Sequence, residues 1–176
     1  VPMTADRVLA LGESDVSLAA ANAPELSVLA GTVATIDRIE QRLQGEGVDV
    51  QRLRIHVAAH SHLLDPILDR FRSGLRAMAL QPAQKPWISN VTGDWIDAQR
   101  AADPDYWVEH LRRTVRFQDG VATLLAASDR VFLEVGPGKA LTSLARMHQR
   151  ANKSPCLVSL PHAKDEKPAD QSALEA

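Results

Sequence analysis

The run Val48-Asp49-Val50-Gln51-Arg52-Leu53-Arg54-Ile55-His56-Val57-Ala58-Ala59-His60-Ser61-His62-Leu63-Leu64-Asp65 is where the chain changes its period. Up to Val57 the apolar residues alternate, the spacing of a strand with one covered face. From Leu63 onward they fall at Leu63, Leu64, Ile67, Leu68, Phe71, Leu75 and Met78, one stripe of a long amphipathic helix with its stripe in the core. A strand that hands over to a helix is the repeating unit of layered α/β folds.

Upstream, Val1 to Met3 is expected to end a strand, and Thr4 to cap a short helix through Leu11. Gly12 to Asp15 has turn chemistry. Val16 to Ala21 and Leu26 to Ala30, separated by Asn22-Ala23-Pro24-Glu25, read as a hairpin. Gly31-Thr32 opens a segment with apolar residues at Val33, Ile36, Ile39 and Leu43, a helical spacing that Gly45 and Gly47 end. With the strand at 48–57, the order β-α-β-β-α-β is that of a ferredoxin-like small subdomain over residues 1–57. Downstream, Pro82 and Pro86 precede a short strand at Trp87 to Val91. Asp103-Pro104 starts helical stretches at Asp105–Leu111 and Gln118–Ala127. A strand at Arg130–Val135, a helix at Gly138–Arg150 and a strand at Cys156–Leu160 complete an α/β arrangement with a largely parallel sheet. Residues 161–176 are charged and unpatterned, and read as a linker or disordered tail.

The 176 residues are 45% hydrophobic and 24% charged, with a formal net charge of −2. That balance offers no electrostatic case for nucleic acid or an anionic membrane as partner. A lone cysteine, Cys156, excludes an internal disulfide and a cysteine-built zinc site, and fits a reducing compartment. No apolar run is long enough to span a bilayer and no basic-then-apolar leader opens the chain, so a cytoplasmic location is expected. A start at Val1, directly in an apolar segment, reads as a piece of something longer.

Three of the six histidines, His56, His60 and His62, fall within seven positions. Three readings compete. Ser61 could cap the following helix with His60 and His62 in solvent. The histidines could bind a metal, but Asp65 comes one place late for the common hydrolase pattern, and His110, His148 and His162 are poor distal ligands. Or one of them is a general base, since imidazole titrates near neutrality and can take and return a proton. The residues alone do not choose.

Val57-Ala58-Ala59-His60-Ser61-His62-Leu63-Leu64-Asp65-Pro66 resembles the motif HAFHSPLM or YASHSPLM of type I modular polyketide-synthase acyltransferases, whose fourth residue is the catalytic histidine. Pro86 to Gly93 resembles PWVSNVTG, and Asp105 to Phe117 resembles DYWVRHLREPVRF. Phe132 to Gly138 resembles FLEVGPG, Leu18 to Pro24 resembles LAAVNGP, and Ser159 to His162 resembles the start of the linker after such domains. The likeness spans nearly the whole chain.

The resemblance implies a malonyl/methylmalonyl-coenzyme A transacylase. Residues 1–57 would be its ferredoxin-like insert, and 58–160 the C-terminal half of an α/β-hydrolase-like large subdomain. It implies no permanently bound cofactor and no metal, a coenzyme A thioester as substrate, and phosphopantetheine on an acyl carrier protein as acceptor. The ketosynthase and linker of the same synthase would be neighbours, with the missing N-terminal half of the acyltransferase. His60 would be the general base, oriented by the backbone carbonyl of His110. Val57, Ala59, Asn22 and Asn90 would approach the substrate. Ala59 stands where malonyl-type motifs have Phe, leaving room for an α-substituent. Arg112, Arg113 and Arg116 form a solvated face that an acidic carrier protein could touch. The chain departs from the family in having no G-x-S-x-G elbow, so it is expected to be inactive alone. The competing class is a catalytically inactive acyltransferase-like docking module.

Overall fold

The computed structural model describes residues 1–53, 55, 57–127, 129–148 and 154–161. The chain is α/β and divides into two compact units, Val1–Gly120 and Val121–Ala176. In the first, α1 (Ala5–Leu9) is capped by the Thr4 hydroxyl, which accepts from the Arg7 N–H. β1 (Ser17–Ala23) and β2 (Leu26–Ala30) form the expected antiparallel hairpin, with Ser17 opposite Ala30 and Ala23 opposite Leu26. Thr32 caps α2 (Val33–Gly45) by accepting from the Thr35 N–H. Met3, Val8, Ile39 and Leu43 are the buried centre, with Val1, Leu11, Val16, Leu18, Leu29, Val48 and Val50 against it. Both helices thus lay their apolar stripe on the hairpin, the only way either element removes that surface from water.

The outer strands of the expected βαββαβ order are not formed. At Val1–Met3 the ladder is one residue long, Val1 and Ser27 exchanging both backbone bonds at 2.8 and 3.0 Å. The alternating segment from Val48 is no strand among its described residues. Val48 and Val50 reach the core, but Leu53, Ile55 and Val57 stay 49%, 66% and 64% exposed. Alternation gives a segment two faces, but a strand also needs an edge to pair with. The long helix expected from Leu63 is likewise divided. His62–Ile67 is a 3₁₀ helix and α3 covers only Leu68–Arg76. Pro66 has no N–H to give the carbonyl four residues back, so the α pattern begins only beyond it. Its stripe is not core: Leu63, Ile67, Phe71 and Met78 are exposed.

The strand expected at Trp87–Val91 is a tight turn instead. Ser89 N–H donates to the Asp94 carbonyl at 2.8 Å and Gly93 N–H to Ser89 at 2.7 Å, leaving one bridge between Ile88 and Trp95. α4 (Pro104–Arg112) begins where Asp103-Pro104 predicts, the Asp103 carboxylate accepting from the Asp105 N–H at 2.9 Å. Tyr106, on α4, is 2% exposed and shares a 2.9 Å hydrogen bond with the buried Ser89 hydroxyl. Trp87 stacks on Trp107 at 5.8 Å. After α4 the chain meets β1: Val115 donates to Ala19 and Ala21 donates to Val115, both at 2.9 Å, and the Thr114 hydroxyl donates to the Leu18 carbonyl at 2.6 Å. Ala19, Ala21 and Ala23 are buried.

The division between units falls within α5 (Phe117–Leu125). In the second unit β3 (Phe132–Pro137) and β4 (Cys156–Leu160) pair in parallel, Phe132 opposite Cys156. α6 (Ala140–Arg146) starts on the Glu134 carboxylate, which accepts from Leu141 and Thr142 N–H. The expected helix ends beyond Met147 in part outside the described residues, as do the tail from His162 and the site candidate His56.

Gly93 tests the packing of the turn. It is buried with φ 72°, and a Cβ there would lie 2.3 Å from the Asp119 Cβ. Gly93→Ala is expected to destabilise the protein by about 1–3 kcal/mol through overpacking and a left-handed backbone, read as a lowered urea midpoint at unchanged m-value.

Candidate functional site

Ala58-Ala59-His60-Ser61 is a turn held from inside. Ser61 is fully buried; its hydroxyl donates to the Ala58 carbonyl at 2.6 Å and accepts from the Leu63 N–H at 3.3 Å, capping the 3₁₀ helix. Between them His60 has φ 56°, the one positive φ at a non-glycine among the described residues. A left-handed backbone costs a residue with a Cβ roughly 1–3 kcal/mol and persists only where the surroundings enforce it. Such strain collects at functional sites.

The His60 ring is oriented through its Nδ1, 3.0 Å from the carbonyl of Arg113. A carbonyl can only accept, so Nδ1 carries the proton and the neutral ring keeps its lone pair at Nε2. The expected acceptor was the carbonyl of His110. It is instead three residues later, because α4 runs through Arg112 and only Arg113, with ψ 160°, turns out of the helical backbone. His110 meets His60 by its ring, edge-on with centroids 6.0 Å apart, and lies against Trp107 and Tyr106 as well. Burial, and then the nearby charge of a protonated His60, hold His110 below the usual imidazole range. It is therefore a neutral wall beside the candidate base.

A family model described as "Acyl transferase domain" matches residues 4–175. The chain belongs to the acyl transferase domain family. It is 38% identical over 136 residues, 77% of its length, to a phenolphthiocerol/phthiocerol polyketide synthase of Mycobacterium tuberculosis. It is 33% identical over 79% of its length to the polyketide synthase GfsA of Streptomyces halstedii. Those matches span 9% and 2% of the two relatives. Among solved structures, the acyl transferase domain of SpnD in complex with 2-(pent-4-yn-1-yl)malonyl is similar at a TM-score of 0.92 and 44% identity, over 99% of this chain and 42% of that one. The acyltransferase domain from the second module of the salinomycin polyketide synthase matches at 0.84 and 36%, over 99% of this chain and 41% of that one.

The other expected site residues of this acyl transferase domain chain are distributed unevenly. Asn22 lies within β1 rather than in the hairpin turn, and Asn90 gives its backbone carbonyl to the Arg116 N–H at 2.8 Å. Val57 is exposed and Ala59 half-buried. A cleft of about 1080 Å³ runs from Leu29 and Ile36 to Val57, Ala58 and Leu64, but His60 does not line it. His62 is not in solvent: its N–H donates to the Ser17 hydroxyl at 3.2 Å and its Nδ1 lies 3.0 Å from the same oxygen. No group of potential metal ligands gathers among the described residues. Of the arginine face, Arg112 pairs with Asp65 and Arg116 with Asp119. Arg113 was read from the sequence only as part of the arginine face, not for its carbonyl, and Ser17 was not singled out. The change to Thr114-Val115 after the helix is the signal that would have found Arg113; Ser17 offers none.

The depressed His110 imidazole makes stability depend on pH. Between its folded value and the ordinary 6.5, the unfolded chain binds the extra proton, so stability rises with pH through that window and is lost as pH falls below about 6.5. His110→Gln is expected to flatten that slope, measured as urea midpoints between about pH 7.5 and 5.5.

Proposed function

We propose that this chain is the base-bearing half of a polyketide-synthase acyltransferase, which loads a malonyl or α-substituted malonyl group from coenzyme A and passes it to an acyl carrier protein. The observation that carries the reading is His60, strained into a left-handed backbone with its Nδ1 proton on the Arg113 carbonyl and Nε2 free to accept. Membership of the acyl transferase domain family supports it.

In the first half-reaction a serine hydroxyl gives its proton to His60 Nε2 as its oxygen attacks the thioester carbonyl. The C–S bond breaks, and the same proton goes to the departing coenzyme A thiolate. In the second, His60 takes the proton of the phosphopantetheine thiol, the sulfur attacks the serine ester, and the proton returns to the serine oxygen. No G-x-S-x-G occurs in the 176 residues, so the serine belongs to another segment and this chain is inactive without it. In this reading 1–57 is the ferredoxin-like insert, 58–160 the returning half of the large subdomain, and the segment from 161 a linker. The ketosynthase of the same synthase is a neighbour.

In a synthase module containing this segment, His60→Ala is expected to lower kcat/KM for acyl transfer by about 10²–10⁴-fold, the usual share of acid–base catalysis. A value within about tenfold of the parent overturns the assignment. Ala59→Phe is expected to raise the preference for malonyl- over methylmalonyl-coenzyme A by about 10-fold, since one methyl group in a filled pocket is worth about 1–3 kcal/mol; competition between the two substrates measures it.

A further inference from the structure

We propose that His62 and Ser17 are positioning residues for His60, latching the turn that carries the base to the strand against which the segment after the base's carbonyl anchor is paired. The inference rests on His60 being the base.

One hydroxyl makes the latch. Ser17 Oγ accepts the His62 backbone N–H at 3.2 Å and pairs with His62 Nδ1 at 3.0 Å, so it grips both the backbone and the ring of a residue two places after His60. Ser17 opens β1. The next residue, Leu18, receives the Thr114 hydroxyl at 2.6 Å, and Val115 is bonded on both sides by Ala19 and Ala21. Arg113, adjoining Thr114, supplies the carbonyl that holds His60 Nδ1 at 3.0 Å. The path His60, Arg113, Thr114, Leu18, Ser17, His62 therefore closes on itself. Both determinants of the His60 ring, its backbone and its Nδ1 partner, are referred to neighbouring residues of one strand.

The latch also answers a specific need. His60 is held at φ 56°, a conformation it will leave unless the turn is fixed at both ends. Ser61 fixes the turn from within through Ala58, and Ser17 fixes its exit. The motif that this segment resembles has proline at the position of His62. Proline has neither a backbone N–H to donate nor an imidazole nitrogen, so it could make neither bond. The latch is a feature of this sequence.

The test is steady-state kinetics of acyl-thioester hydrolysis by the synthase module containing this segment, with melting temperature recorded in parallel. Ser17→Ala and His62→Ala are each expected to lower kcat about tenfold, the scale on which a small misplacement of a catalytic group is felt, with KM for the acyl thioester within about twofold. The double variant is expected to lose no more than either single one, as members of one network do. Ser17→Thr keeps the hydroxyl and is expected to restore kcat; it also serves if Ser17→Ala fails to fold. Unchanged kcat in both single variants, additive losses, or a loss confined to melting temperature overturns the latch while His60→Ala remains inactive. If His60→Ala keeps its activity, the base assignment falls and the latch with it.

Discussion

The hydrogen bonds between β1 and the chain at Thr114–Val115 are the constraint on which the site depends. They bring a segment from beyond α4 alongside a hairpin formed more than ninety residues earlier, Thr114 and Leu18 being 96 positions apart. They act together with the Arg112–Asp65 ion pair and the His60–His110 ring contact, which tie the end of α4 to the His60 turn directly.

That constraint sets the chemistry of His60 through one proton. A neutral imidazole can carry its hydrogen on either nitrogen, and only a fixed acceptor at Nδ1 leaves Nε2 as the basic atom in every molecule. A backbone carbonyl is a suitable acceptor because it does not titrate and cannot rotate away from its peptide plane. An aspartate in the same place would add a charge; the carbonyl fixes the tautomer without one. His110 lies edge-on to it, its imidazole held below the usual range by burial first.

What could be read from the sequence divides along the range of the interactions. Thr4 and Asp103 were legible as caps because a cap acts over three residues or fewer, and each accepts from the N–H that local geometry puts in reach. The hairpin was legible for the same reason, and Cys156–Leu160 was a strand as read. The segment from Val48 was misread because alternation records only which face is apolar. It is silent on whether an edge lies alongside. Pro66 was in plain view and should have moved the start of the helix, since its missing N–H is a local fact.

The site shows the same division at finer scale. Motif resemblance names His60 as the candidate base, while the carbonyl its ring meets is Arg113, three residues beyond the one expected. The end of the helix decides which carbonyl leaves the axis. His60 to Arg113 spans 53 positions and Ser17 to His62 spans 45. No periodicity encodes such pairs; they exist only once β1 is paired. A serine at the start of a strand looks like any other turn-proximal serine, because what distinguishes Ser17 is the residue folded against it. A candidate histidine can therefore be picked out locally, but the contacts that orient its ring are tertiary and span 45–53 positions.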